Sequence, residues 1–215
     1  MIRMSTSRKG IFISFEGIDG CGKSTQVKLL LEKLAIEGFI TKLVREPGGA
    51  KICEDIREIL LDNNNINMSS RSEALLMTAS RAQLTKEEII PALNNDKCVI
   101  ADRFKDSTLA YQGGGRNLDI EFLIKLNDFA TNNIDPDITF FLDISAETAH
   151  SRSNTNKLDR IESIGVEFQN TVREKYLNIA ERFKNRIVTI NGNETKSLIH
   201  SRVWEKTINF LNEKK

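Results

Sequence analysis

Cysteine is scarce in this chain: Cys21, Cys53 and Cys98 are the three among 215 residues. They are odd in number and widely spaced, without metal-ligand patterning, which excludes a disulfide framework and suits reduced thiols in a cytoplasm. An excess of either charge is missing too. With 31 basic and 30 acidic side chains the formal net charge is +1, so no global field draws nucleic acid or an anionic membrane, and any anion specificity has to be local. The three basic residues of 1–10 have no apolar run behind them, which excludes a signal peptide or a membrane span there. Residues 1–9 are expected to form a disordered tail. No repeat and no linker-like tract interrupts the rest of the chain, and Asn63-Asn64-Asn65 reads as a polar turn. A 40% hydrophobic content then suffices for one core, and 10–215 is expected to be a single domain.

What is present is a phosphate-binding pattern. Gly17-Ile18-Asp19-Gly20-Cys21-Gly22-Lys23-Ser24 fills every fixed position of G-x-x-x-x-G-K-[ST], with Thr25 next. Its flanks have the required order, because Ile11–Phe15 reads as a buried strand and Thr25–Leu34 as a helix. In such a loop the amides converge on phosphate oxygens at the positive end of the helix. Lys23 would reach the β- and γ-phosphates of a nucleoside triphosphate, and Ser24 would ligate Mg²⁺. The competing reading is a glycine turn that merely joins strand to helix.

Short apolar segments alternate with helical ones. Strands are expected at Ile11–Phe15, Thr41–Val44, Cys98–Ala101, Ile138–Leu142 and Ile187–Ile190, and further helices at Lys51–Leu61, Ser72–Leu93, Leu118–Asn132, Gly165–Asn185 and Lys196–Leu211. Pro91 is expected to bend or end the approach to the third strand. The rhythm predicts an α/β fold of parallel βαβ units, in which ligands gather beyond the carboxyl ends of the strands.

The residues there are chemically loaded. Arg45-Glu46-Pro47-Gly48-Gly49 follows the second strand and Asp102-Arg103-Phe104 the third. Asp102 can hold the water shell of Mg²⁺ and Arg103 can clamp an anionic oxygen pair, although a structural ion pair is the other reading. Thr108, Tyr111 and Gln112 share one helical face, as a base-and-sugar pocket or as a polar helix end capped by Gly113-Gly114-Gly115. Arg152, Lys157 and Arg160 flank a polar stretch that reads as a mobile lid at about 150–162, or as a solvated face.

Together, Gly17 to Thr25, Arg45 to Gly49, Asp102 to Arg116, Pro136 to Asp143 and Leu158 to Glu162 closely resemble the thymidylate kinases. The resemblance implies the P-loop NTPase fold, with a five-stranded parallel sheet covered by helices on both faces, and a homodimer. It also implies transfer of the ATP γ-phosphoryl group to dTMP, on the way to dTTP. In that likeness Lys23, Ser24 and the loop amides hold ATP and Mg²⁺, and Asp19 takes the acceptor's 3′-hydroxyl. Arg45 and Arg103 clamp the acceptor phosphate, and Asp102 organises the metal. Arg81 and Thr108 read the thymine edge with Gln112 beside them, while Tyr111 lies against the deoxyribose. Two positions depart from the pattern. Met77 stands where relatives stack a Phe on the base, and Gly20 stands where some carry a loop arginine. The lid cations Arg152 and Arg160 are therefore the ones expected to meet the transferring phosphate.

Two other readings compete. A deoxynucleoside kinase would share the phosphate loop, but two phosphate-clamping arginines argue against an uncharged acceptor. A nucleotide-dependent switch would usually carry an N-K-x-D segment after a strand; Asn156-Lys157-Leu158-Asp159 spells those letters, but within the polar lid stretch rather than at a strand end.

Overall fold

The computed structural model describes residues 10–152 and 158–213. Its frame is one sheet of five parallel strands: β1 (Ile11–Glu16), β2 (Thr41–Arg45), β3 (Cys98–Asp102), β4 (Ile138–Asp143) and β5 (Ile187–Asn191), in the order β2-β3-β1-β4-β5. All five expected strands are present, each one residue longer at its carboxyl end than the sequence suggested. They were legible because a parallel sheet covered on both faces needs near-continuous apolar runs. In β1, Phe12 joins a cluster with Val44, Leu84, Val99 and Phe104, whereas Ile13 and Phe15 join a larger one with Leu30, Phe140 and Leu142. The central polar exception is compensated internally, since Ser14 Oγ and Thr139 Oγ1 bond at 2.7 Å.

The helices are α1 (Lys23–Ile36), α2 (Lys51–Leu61), α3 (Ser70–Leu84), α4 (Ile90–Asn94), α5 (Lys105–Thr108), α6 (Ile120–Thr131), α7 (Ala146–Arg152), α8 (Val166–Arg182) and α9 (Lys196–Glu213). Among them α5 and α7 were not foreseen as separate elements. The expected helix Ser72–Leu93 is instead α3 and α4 joined by a π-helical stretch, Thr85–Ile89. Pro91 lies inside the following turn rather than ending it, because the widened turn ahead removes the clash with the preceding carbonyl. A second π-helical turn, Leu109–Gly115, follows α5. A Cβ on Gly115 would meet the Phe168 ring at 2.3 Å. That glycine serves close packing against α8, which a capped polar helix end would not require.

β1 is central, paired with β3 and β4; the chain crosses from β1 outward to β2, then returns from β3 past β1 to β4, so its direction of winding reverses beside the strand from which the phosphate loop leaves. Ligands are expected at such a crevice. No helix among the described residues is long and apolar enough to cross a membrane. The tail 1–9 and Lys157 lie outside the described residues.

Candidate active site

The loop after β1 is built for an anion. Gly17 has φ 139°, a region that favours glycine, and a Cβ there would sit 2.7 Å from Leu142 O. α1 starts after Gly22 with no side-chain cap and no acidic residue in its first turn, so its leading N–H groups stay available. Lys23 Nζ donates to the carbonyls of Gly17 (3.0 Å) and Ile18 (2.9 Å) and reaches Cys21 Sγ at 3.6 Å. Ser24 Oγ donates to Asp102 Oδ2 at 2.8 Å. The two residues expected around a metal thus meet, although they are 78 positions apart.

On the other side of the loop lies a cleft of about 150 Å³ that includes Asp19, Met77, Arg103, Thr108, Tyr111 and Gln112 in its walls. Arg103 is its hub. Its backbone is left-handed, with φ 71°, a conformation that is strained for a non-glycine residue and persists where surrounding contacts dictate it. Those contacts are dense. Nη2 meets Asp19 Oδ1 at 2.5 Å and Tyr111 Oη at 3.1 Å, and Nη1 donates to Gly17 O at 2.8 Å. Tyr111 Oη donates to Asp19 Oδ2 at 3.0 Å. Burial alone would raise the Asp19 carboxyl, but the Arg103 and Lys23 charges with the Arg103 and Tyr111 hydrogen bonds outweigh it and lower it to about 2. Asp19 therefore faces the cleft as an anion.

Beneath Arg103 sits Glu16. Its Oε1 accepts the Phe104 N–H at 2.8 Å, and its Oε2 accepts from Ser107 Oγ (2.6 Å) and Tyr176 Oη (2.8 Å). Burial, helped by the Asp106 carboxylate, pushes the Glu16 carboxyl up to about 7 from an ordinary 4.5. A carboxyl raised in the folded state lends stability below pH 4.5 that is lost as the pH rises towards 7. Glu16→Gln should therefore flatten this slope and gain on the order of 2 kcal/mol relative to the parent between pH 5 and 8. Urea titrations at both pH values test it, and equal slopes for the two proteins would refute it.

Several expected ligands are placed differently. Arg45 Nη2 grips both oxygens of Glu54, at 3.0 and 2.8 Å, and Arg45 borders the groove shared with Ser24 and Asp102 instead of the cleft. Besides Arg81 and Arg103, the cleft wall holds Arg57, whose Nη1 donates to Pro47 O at 2.8 Å. Sequence reasoning missed it; the available signal was its position one turn after Glu54 on α2. Arg81 lines the cleft, but all its donors are engaged. Nε donates to Glu46 Oε2 (2.8 Å) and Nη1 to Thr108 Oγ1 (2.7 Å) and Asn127 Oδ1 (2.6 Å), while Nη2 donates to Glu46 and to Phe104 O. It holds Thr108 in place, its terminal nitrogens as fully engaged in the free protein as those of Arg103.

Arg160 is likewise not an open lid cation. It is 5% exposed, donates Nε to Leu60 O at 2.7 Å and has Nη2 2.8 Å from Glu73 Oε2. A buried carboxylate demands such a partner, and Arg160 thereby straps the carboxyl-terminal end of the expected lid to α2 and α3. Arg152 is exposed at the end of α7, with Nη1 on Gly192 O at 3.1 Å.

Comparison with known proteins agrees with this geometry. A family model described as thymidylate kinase matches residues 15–203. A thymidylate kinase of Caldanaerobacter subterraneus subsp. tengcongensis is 45% identical over 203 residues, which cover 94% of this chain and 97% of that protein. One from Thermosipho africanus is 50% identical over 188 residues, 87% and 92% of the two chains, and one from Fervidobacterium nodosum 48% over 193, 90% and 96%. With a phosphate loop and an arginine-containing cleft meeting at the β1/β3 crevice, and with that likeness running through nearly the whole sequence, this chain belongs to the thymidylate kinase family.

Proposed function

We propose that the protein transfers the γ-phosphoryl group of ATP to dTMP, giving dTDP and ADP, in a cytoplasm where its three free cysteines stay reduced. The observation that supports this most is the junction of two sites at one sheet edge. Lys23 and the Ser24–Asp102 pair lie on one side of the loop, and the Arg103–Asp19–Tyr111 cluster lies on the other. Position and charge are what phosphoryl transfer asks of a protein, since the acceptor phosphate itself attacks in line. Arg103, joined by Arg57 at the cleft wall and by Arg45 from the neighbouring groove, would orient that phosphate. Asp19, an anion held at about 2, would accept the sugar 3′-hydroxyl, and Tyr111 would pack against a deoxyribose. Ser24 and Asp102 offer the hard oxygen donors that Mg²⁺ takes in ones and twos beside phosphate oxygens. Bound there, the ion would neutralise charge on the transferring group. Among the described lid residues, Arg152 is the exposed cation that could approach the γ-phosphate, and 10–215 would work as one kinase unit. A coupled ADP-release assay across nucleoside monophosphates tests the reading: dTMP should be the preferred acceptor, and no turnover of any pyrimidine deoxynucleotide would refute it.

Met77 forms part of the cleft wall where relatives place an aromatic ring. A ring is flat and loses fewer rotamers than Met, so Met77→Phe should tighten dTMP binding by roughly 0.5–1.5 kcal/mol. Calorimetric titration decides it, and unchanged or weaker affinity at wild-type stability would count against a base stacked on residue 77.

A homodimer is part of the proposal. The helix α3 packs between α2 and α6, and this layer turns Ile52, Ile59, Leu75, Phe122 and Phe129 outward, Phe129 at 86% exposure. So much apolar surface on neighbouring helices suits a second copy of the chain. Phe129→Glu should shift light-scattering mass from dimer to monomer. A monomeric parent protein would contradict the assignment.

A further inference from the structure

Glu16, the last residue of β1, is fully buried, and the three hydrogen-bond partners of its carboxyl are all neutral: the Phe104 amide on Oε1, and the Ser107 and Tyr176 hydroxyls on Oε2. A carboxyl buried among neutral groups costs stability. What those partners touch gives it a task. Phe104 is the residue after Arg103, so the bond to Oε1 fixes the main chain just past the left-handed turn at φ 71°. The two hydroxyls also accept from Arg103 Nη1, at 3.2 Å for Ser107 and 3.3 Å for Tyr176, and they lie 2.8 Å from each other. Glu16 therefore grips Arg103 at both ends.

This grip divides the guanidinium. Nη1 is turned inward, to Gly17 O and the two hydroxyls, whereas Nη2 is on the side of Asp19 and Tyr111, with which Arg103 walls the cleft. One nitrogen is anchored, and the other is the arm offered to the cleft. Glu16 and Tyr176 do not themselves line the cleft, and the Tyr176 ring is held independently by stacking on Phe141, with 5.1 Å between centroids.

We propose that Glu16 is a positioning residue for the acceptor phosphate: from outside the cleft it sets the place and plane of the Arg103 guanidinium, through the Phe104 amide on one side and through Ser107 and Tyr176 on the other. Ionised or protonated, a carboxyl keeps an accepting oxygen on each side. An amide has only one. A bidentate contact depends on the plane of the guanidinium as well as on its charge, and a misplacement on the order of 1 Å can cost about a hundredfold. The inference rests on Arg103 orienting the acceptor phosphate, as in the proposed function.

The test compares the Michaelis constants for dTMP and for ATP in the parent protein and in Glu16→Gln. With its one oxygen on the Phe104 amide, a glutamine would turn NH₂ on two hydroxyls that need an acceptor; reversed, it would set NH₂ against N–H. Either way Arg103 shifts, and the constant for dTMP should rise at least about tenfold while that for ATP stays within about twofold. A Glu16 that merely holds the fold together would lower the active fraction and move neither constant. That result overturns the proposal, as does an equal rise for both substrates. Should Glu16→Gln not fold, Tyr176→Phe takes its place. It keeps the ring and removes one hydroxyl between Glu16 and Arg103, so the constant for dTMP alone should rise about threefold or more, and an unchanged one overturns the proposal. A parent protein that phosphorylates no dTMP would remove the proposed function and this inference with it, whereas dTMP turnover with both constants unmoved in the variant counts against Glu16 alone.

Discussion

Replacing Lys23 with alanine should cost at least about a hundredfold in turnover, because a preorganised charge aimed at the transferring phosphates is among the larger contributions to catalysis of this kind. The fold should survive. Lys23 belongs to neither hydrophobic cluster, and its Nζ serves the carbonyls of Gly17 and Ile18. Losing those two hydrogen bonds should cost about 1–3 kcal/mol. ADP release measured beside thermal melting separates the two effects. A folded Lys23→Ala protein with near-normal turnover would remove the loop from the mechanism.

The second large effect concerns stability. Arg81→Ala should destabilise the fold by about 3–5 kcal/mol, the cost of breaking a buried ion pair from one side. Arg81 and Glu46 have side chains 2% and 5% exposed, and the guanidinium also lies over the Phe104 ring with 5.6 Å to its centroid. Without it the Glu46 carboxylate is stranded, and Thr108 and Asn127 each lose a donor. Against a typical total of about 5–15 kcal/mol, that is a fifth or more of the stability of an ordinary domain. Arg81→Lys should rescue little, since an ammonium cannot reproduce a planar fork of five donors. Removing the stranded charge as well, in Arg81→Ala/Glu46→Gln, should recover part of the loss. Urea denaturation measures all three, and a loss below about 1 kcal/mol for Arg81→Ala would contradict the buried-pair account.

Local chemistry explains which parts of the site were readable from the chain. The phosphate loop is contiguous, and the helix that receives the phosphates begins inside it, so Gly17 to Ser24 carries its own geometry. Asp102 and Arg103 were readable because β3 ends there and a parallel sheet sends strand ends to the ligand crevice. Arginines elsewhere have partners that the sequence did not show, for one reason. A cation on a helix face looks the same whether it meets a ligand or a buried carboxylate, and the carboxylate that decides is remote. Arg81 finds Glu46 35 positions away, and Arg160 finds Glu73 on α3, several elements earlier in the chain. Arg45 and Arg57 share the Pro47 carbonyl, yet Arg57 is the one in the cleft wall.

By itself, then, the sequence determined the elements whose cause is local: five apolar strands spaced by helices, a glycine loop ready for phosphate, and the Asp-Arg pair at a strand end. The π-helical stretches at Thr85–Ile89 and Leu109–Gly115 were decided in three dimensions. Their hydrogen-bond register depends on what packs against each turn, as Phe168 does against Gly115. The polarity of the cleft was decided there too. Thr108 meets Arg81 and Gln112 meets Glu73 because folding brings those remote ions against them, in surroundings dry enough for the bonds to hold.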